Sequence, residues 1–233
     1  MLENRRCFDE FPWAVGQVCR RWREACLAYP QLWTSFYLKY IDSGLGPGGF
    51  AEMNRRTTMY IERSGQLPLN IIVCIPSHPK YVPRAAWRSL LSCSNRWKRA
   101  DLELGSDPDI VNDLLERRGE MSTLESMGLN IGRTISIRKP LDSTFAVAPR
   151  LIKLKLRCYG KNSGWVFPWS QLTKLNIEMD DAEFFPSVPL EAVLSQLQNA
   201  EELRFTSVRN GLVRRYFHPL DAIRLARVRF LEV

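Results

Sequence analysis

The side chains that most often carry catalysis are sparse in this chain and poorly placed for it. His78 and His218 each stand next to a proline, with no second histidine or cysteine at metal-ligand spacing, so neither points to a zinc site. Asp180, Asp181 and Glu183 form a carboxylate cluster, but one that follows a strand-like run and reads as a charged loop. Serine and cysteine nucleophiles have no partner base at a recognisable spacing. The glycine-rich stretch Gly44 to Gly49 lacks the lysine that a phosphate cradle requires and reads as a flexible joint. The expectation is a non-catalytic chain with no metal and no cofactor.

Binding chemistry is better represented. Lysine and arginine exceed aspartate and glutamate by 33 to 25, a formal charge of +8 in 233 residues, which favours acidic partners. Basic doublets at Arg5-Arg6, Arg20-Arg21, Arg55-Arg56, Arg117-Arg118 and Arg214-Arg215 are dispersed, as on solvated helix faces. Six cysteines (Cys7, Cys19, Cys26, Cys74, Cys93 and Cys158) show no paired spacing. With no hydrophobic stretch behind Met1 to Arg6, they read as free thiols in the cytoplasm or nucleus. No apolar run is long enough to span a bilayer, so no membrane partner is expected.

The elements that must position these charges recur. Two apolar anchors one residue apart stand at Ala100/Leu102, Met127/Leu129, Leu154/Leu156, Leu175/Ile177, Leu203/Phe205 and Val228/Phe230, in steps of 27, 27, 21, 28 and 25 residues. An apolar residue three positions before the first anchor accompanies most of them: Trp97, Leu124, Leu151, Leu172, Leu225 and the weaker Ala200. Leu69 to Ile75 reads as a buried strand and an irregular first repeat. Helices fall between: 50 to 64, stopped at Gly65; 84 to 94; one opened by Asp107 and Pro108; and one opened by Pro189. Alternating strand and helix at a period of this size predicts an α/β solenoid of leucine-rich-repeat type, right-handed, with parallel short strands and outer helices. The short step between Leu154 and Leu175 leaves room only for a single-turn connection, which Trp165, Phe167 and Trp169 would fill.

Ahead of the repeats, residues 14 to 28 show an amphipathic helical pattern with Val15, Val18, Cys19, Trp22 and Cys26 on one stripe, ended by Pro30. The Gly44 to Gly49 joint places the division between residues 1–48 and 49–233. The segment Val18-Cys19-Arg20-Arg21-Trp22 through Pro30, Leu32 and Trp33 resembles the second half of an F-box. Arg63 to Ile71 and Pro168 to Leu175 resemble segments that follow it in fungal F-box/leucine-rich-repeat proteins.

The resemblance implies a substrate-recruiting subunit of a cullin–RING ubiquitin ligase, with Val18, Cys19, Trp22, Leu32 and Trp33 docking on the small adaptor subunit. Met1 to Phe11 do not resemble the first F-box helix, so the motif is expected to be truncated and the adaptor contact weakened. If Leu154 and Leu156 point inward, alternation sends Lys153, Lys155 and Arg157 to the concave side, joined by Lys174, Arg204, Arg227 and Arg229. Glu178 and Glu202 are the chief opposing acids. That stripe is expected to hold an acidic protein segment, with nucleic acid as the second choice and a ligase-free scaffold as the competing role.

Overall fold

The computed structural model describes residues 12–39, 47–75, 84–105, 107–117, 119–131, 145–158, 166–179, 190–207 and 230–232. Eight strands form one sheet in strict sequence order: β1 (Ser35–Lys39), β2 (Leu69–Cys74), β3 (Trp97–Leu104), β4 (Ser126–Ile131), β5 (Lys153–Cys158), β6 (Lys174–Met179), β7 (Glu202–Ser207) and β8 (Phe230–Glu232). Every neighbouring pair is parallel. The chain is therefore α/β and solenoid-like, each strand adding to the edge left by the one before.

Two rows of apolar side chains explain the register. Phe36, Ile71, Ala100, Met127, Leu154, Leu175 and Leu203 stand opposite one another in turn, as do Leu38, Val73, Leu102, Leu129, Leu156, Ile177 and Phe205. All are buried. Side chains alternate between faces along a strand, so the residues between them share the opposite, open face. The anchors expected at Ala100/Leu102 through Leu203/Phe205 hold these positions, and Trp97, Leu124, Leu151, Leu172 and Ala200 are buried as well.

One expected anchor pair is displaced. Phe230 stands opposite Glu202 and Leu231 opposite Leu203, so Leu231 and not Phe230 occupies the register of the apolar row; Val228 lies outside the described residues. Any two apolar residues one apart satisfy the two-anchor template, and this segment offers more than one such pair.

Helices and turns cover the apolar face. After α1 (Trp13–Val18) and α2 (Arg20–Ala28) come α3 (Pro47–Arg63), α4 (Arg84–Leu91), α5 (Pro108–Leu115) and α6 (Leu190–Gln196). Trp87, Leu90 and Leu91 of α4, Ile110, Val111, Leu114 and Leu115 of α5, and Val193 and Leu194 of α6 join the strand anchors in one core. The caps follow local chemistry. The Asp107 carboxylate accepts from the Asp109 N–H at 2.9 Å, and Gly65, at φ +57°, turns the chain out of α3. Between β5 and β6 a single 3₁₀ turn, Trp169–Gln171, replaces a helix, with Phe167 stacked on Phe145 and edge-on to Trp169. Phe167 and Trp169 are thus core; Trp165 lies outside the described residues.

Polar clamps tie each repeat to the next. Backbone N–H groups of Glu125, Ile152, Thr173 and Glu201 donate in turn to the carbonyls of Lys98, Glu125, Ile152 and Thr173. Side chains do the same: Thr123 donates to Asn95 and Trp97 carbonyls, Gln171 to Ala148 and Leu151, and Asn199 to Ser170.

The division expected at 48/49 does not divide the packing. β1 lies before it yet pairs with β2, and Trp33 and Phe36 belong to the same core as the later strands. An aromatic cluster makes the join: Tyr60 of α3 meets Trp33 at 5.2 Å, Phe36 at 5.1 Å and Trp13 at 6.0 Å between ring centroids. Arg63 lies over Trp33 at 4.3 Å and over Trp13 at 5.4 Å.

Leu156 sits mid-sheet at 2% exposure, where a cavity has repeats on both sides and little freedom to collapse. Leu156→Ala is expected to lower unfolding free energy by about 2–5 kcal/mol, read by urea denaturation. A loss below about 1 kcal/mol would contradict its central packing role.

Candidate protein-binding surfaces

The open face of the sheet presents a grid of side chains from strands that the apolar rows hold in register. Its first row is Ser35, Asn70, Arg99, Ser126, Lys153, Lys174 and Glu202. The second is Tyr37, Ile72, Asp101, Gly128, Lys155, Asn176 and Arg204; the third is Lys39, Cys74, Glu103, Asn130, Arg157, Glu178 and Thr206. A groove of ≈ 640 Å³ runs along the first two rows, from Ser35 on β1 to Arg204 on β7.

Five of the seven cations expected on this surface are there: Lys153, Lys155, Arg157, Lys174 and Arg204. Arg227 and Arg229 lie outside the described residues. The acids are better used than their small number suggests. Glu178 pairs with Lys155 at 2.8 Å and Arg157 at 3.5 Å. Glu202 pairs with both Lys174 and Arg204, the latter at 3.1 Å. Hydrogen bonds from Lys174 and then Arg204 hold the Glu202 carboxyl below its ordinary range. The repulsion within the stripe is thus partly relieved inside the protein, and Lys153 makes no ion pair among the described residues.

The other end of the face, missed from the sequence, differs in kind. Asp101 and Glu103 stand on β3 with Arg99 beside them in the first row, and Ile72 on β2 is exposed. The same alternation that placed Lys155 also places Asp101, one residue from the Ala100 and Leu102 anchors. Between the two ends β4 contributes Ser126, Gly128 and Asn130, none charged. Gly128 has a close neighbour: a Cβ there would lie 2.4 Å from Oδ1 of Asp101, so the carboxylate leans into the space glycine leaves. Beside these acids, burial first and Glu103 second push the Cys74 thiol up to about 11.

A second surface lies on the N-terminal helices. Extended backbone at Cys19 breaks the helix expected over 14 to 28 into α1 and α2. The break turns Val18, at 69% exposure, and Trp22, at 55%, toward solvent instead of inward. Cys19 is exposed as well, and Leu27 and Tyr29 add to this surface. Leu32 is partly buried against the core. Trp33 is a correction: it is 2% exposed, with its indole N–H donating to the Cys26 carbonyl at 2.9 Å, and cannot meet a partner directly.

Among the described residues no group of three or more histidine, cysteine, aspartate or glutamate side chains could hold a metal, and no helix is long and apolar enough to cross a membrane. His78, His218, Asp180, Asp181 and Glu183 lie outside them. Gly44, Gly46 and Gly49 have the spacing of a dinucleotide-binding glycine turn, with Gly49 inside the first turn of α3. Gly44 and Gly46 are not described, and the end of β2 carries Cys74 where that motif uses an acid for the ribose. Compared with known proteins, the chain matches no family model, no curated protein and no solved structure.

A thiol raised to about 11 stays protonated at neutral pH, and its thiolate forms only as pH rises toward that value. Cys74 is expected to react with iodoacetamide at pH 8 about 100-fold more slowly than exposed Cys19, and to speed up about tenfold per pH unit toward pH 10. Residue-resolved mass spectrometry of the labelled chain reads both rates. Equal labelling of Cys74 and Cys19 at pH 8 would contradict the acidic, half-buried setting.

Proposed function

We propose that this protein is a non-catalytic binding module of leucine-rich-repeat type and the substrate-recruiting subunit of a cullin–RING ubiquitin ligase. Its N-terminal helices dock on the adaptor, and its open sheet face captures an acidic protein segment. The observation that carries the reading is the apolar set Val18, Trp22, Leu27 and Tyr29 on α1, α2 and the residue after α2. These side chains are exposed while their neighbours Cys26 and Trp33 are committed to the core. Exposed tryptophan and tyrosine on a rigid support are the usual anchors of a protein interface. Support also comes from the resemblance of Val18 to Trp33 to the second half of an F-box.

In this reading Trp33 is a positioning residue. Packed between Trp13 and Tyr60 with Arg63 over its ring, it fixes α2 against the first strands. Adaptor contact falls to Val18, Cys19 and Trp22, with Leu32 at the margin. The adaptor and the captured segment then bind at separate places on parts of the chain that share one core, which suits a recruiting subunit.

Val18→Glu with Trp22→Ala is expected to weaken binding to purified adaptor at least 10-fold. Folding stability should move by only about 0.5 kcal/mol per exposed site. Calorimetry with the adaptor and thermal unfolding of the variant measure the two effects. Absence of adaptor binding by the unaltered chain, or full binding by the double variant, would overturn the ligase assignment.

A further inference from the structure

The open face is polar in one direction. Along its second row, Ile72, Asp101, Gly128, Lys155, Asn176 and Arg204 succeed one another from β2 to β7. An exposed apolar side chain comes first, then a carboxylate, then a position with no side chain, then the cations. Row three repeats the order with Glu103 before uncharged Asn130 and then Arg157. Counted over β5 to β7, the open face carries five cations, Lys153, Lys155, Arg157, Lys174 and Arg204, against Glu178 and Glu202. Uniform attraction for polyanions would not need a carboxylate in the groove, and phosphates laid along its second row would meet Asp101, with Arg99 the only cation that β3 contributes to the lining.

We infer that the groove takes an extended, bipolar segment of a partner protein, lying across the strands with an apolar side chain against Ile72 and a pair of acids on Lys153 and Lys155. This rests on the binding-module reading above and names the substrate class of that same surface. Neighbouring strands are about 4.8 Å apart, so Ile72 and Lys155 are separated by three strand spacings, about 14 Å. An extended chain advances about 3.3 Å per residue, which sets the apolar residue and the acids about four residues apart. A residue between them passes Asp101, which favours a basic side chain there and repels an acidic one. At Gly128 the Asp101 carboxylate occupies the space a side chain would take, which sets that carboxylate between Ile72 and Lys155.

Glu178 acts as a built-in counter-ion that the incoming acids must displace from Lys155, and Glu202 occupies Lys174, the strand neighbour of Lys153, which would otherwise add to the pull on those acids. Their presence makes a lone acid a weak ligand and leaves Lys153 as the first cation to be met. Removing a counter-ion should therefore strengthen binding, an effect opposite to that of a general loss of structure.

The probe is a fluorescein-labelled synthetic peptide with leucine, a lysine two positions on, and two aspartates two and three positions beyond the lysine, in a glycine–serine background. Its binding to the full chain is read by anisotropy at low and high salt. The expected results are salt-sensitive binding, a loss of 100-fold or more with Lys153→Glu and Lys155→Glu together, and a loss of about tenfold with Ile72→Asp. Glu202→Gln should tighten binding several-fold. Moving the leucine next to the aspartates in the peptide should weaken it about as much as Ile72→Asp does.

Binding insensitive to Ile72→Asp and to leucine position would overturn the bipolar segment while leaving simple acidic capture standing. Tighter binding of a single-stranded oligonucleotide than of any peptide would overturn it in favour of nucleic acid. No peptide binding by a chain that still binds adaptor would overturn it without touching the ligase assignment. Circular dichroism of each variant, all exposed or part-exposed substitutions, separates these results from unfolding.

Discussion

Everything in this molecule depends on one constraint: an apolar strand face is buried only if its neighbours on both sides present the same face in register. No single repeat has enough apolar surface to close a core. Leu129, for example, is flanked by Leu102 and Leu156 and covered from above by the connecting segments, and its burial belongs to all of them. A slip of one residue in any strand would send its anchors to solvent and its charges into the core. The side-chain clamps from Thr123, Gln171 and Asn199 act against such slips, each satisfying carbonyls of the preceding repeat that no strand ladder reaches.

The same constraint leaves the other face free. Because the period of a strand is two, residues that pack the core and residues that face outward alternate along the same six-residue segment without sharing a position. Lys153, Lys155 and Arg157 can carry charge because Leu154 and Leu156 carry the packing. Substitution on the open face can thus retune charge without cost to the core. The N-terminal helices follow a comparable division: Trp13, Trp33 and Tyr60 join them to the sheet, and the break at Cys19 turns Val18 and Trp22 outward.

Most of the sheet was legible in the sequence because its signal is local and repeated. Leucine pairs at near-constant steps placed five strands with the correct face inward, and alternation then placed Lys153, Lys155, Arg157, Lys174 and Arg204. What escaped was non-local or loosely specified. Pairing of β1 with β2 spans a glycine-rich stretch that looks like a linker, and no local composition reports a strand partner that far away in sequence. The interruption at Cys19 leaves helical periodicity intact on both sides, so the pattern reads as one helix. Val228 and Phe230 satisfied the two-anchor template as well as the residues beside them did. Trp33 matched a docking motif by type, but aromatic side chains suit a core as well as an interface, and only the packing of Tyr60 and Arg63 around it decides between them.

The paired glutamates change the electrostatics of the open face. A bare stripe of five cations would attract any polyanion at a rate set by salt, with little regard to shape. Here Glu178 and Glu202 each pair with two cations, so the charges are already ordered and less side-chain freedom would be lost to a ligand bound there. Neutralising part of the stripe lowers its pull on polyanions in general, and orienting the remainder raises its demand for acids at particular positions. Asp101 and Glu103 at the far end add a penalty for the wrong charge there. Attraction at one end and repulsion at the other is how a charged surface discriminates among ligands that would all satisfy its net charge.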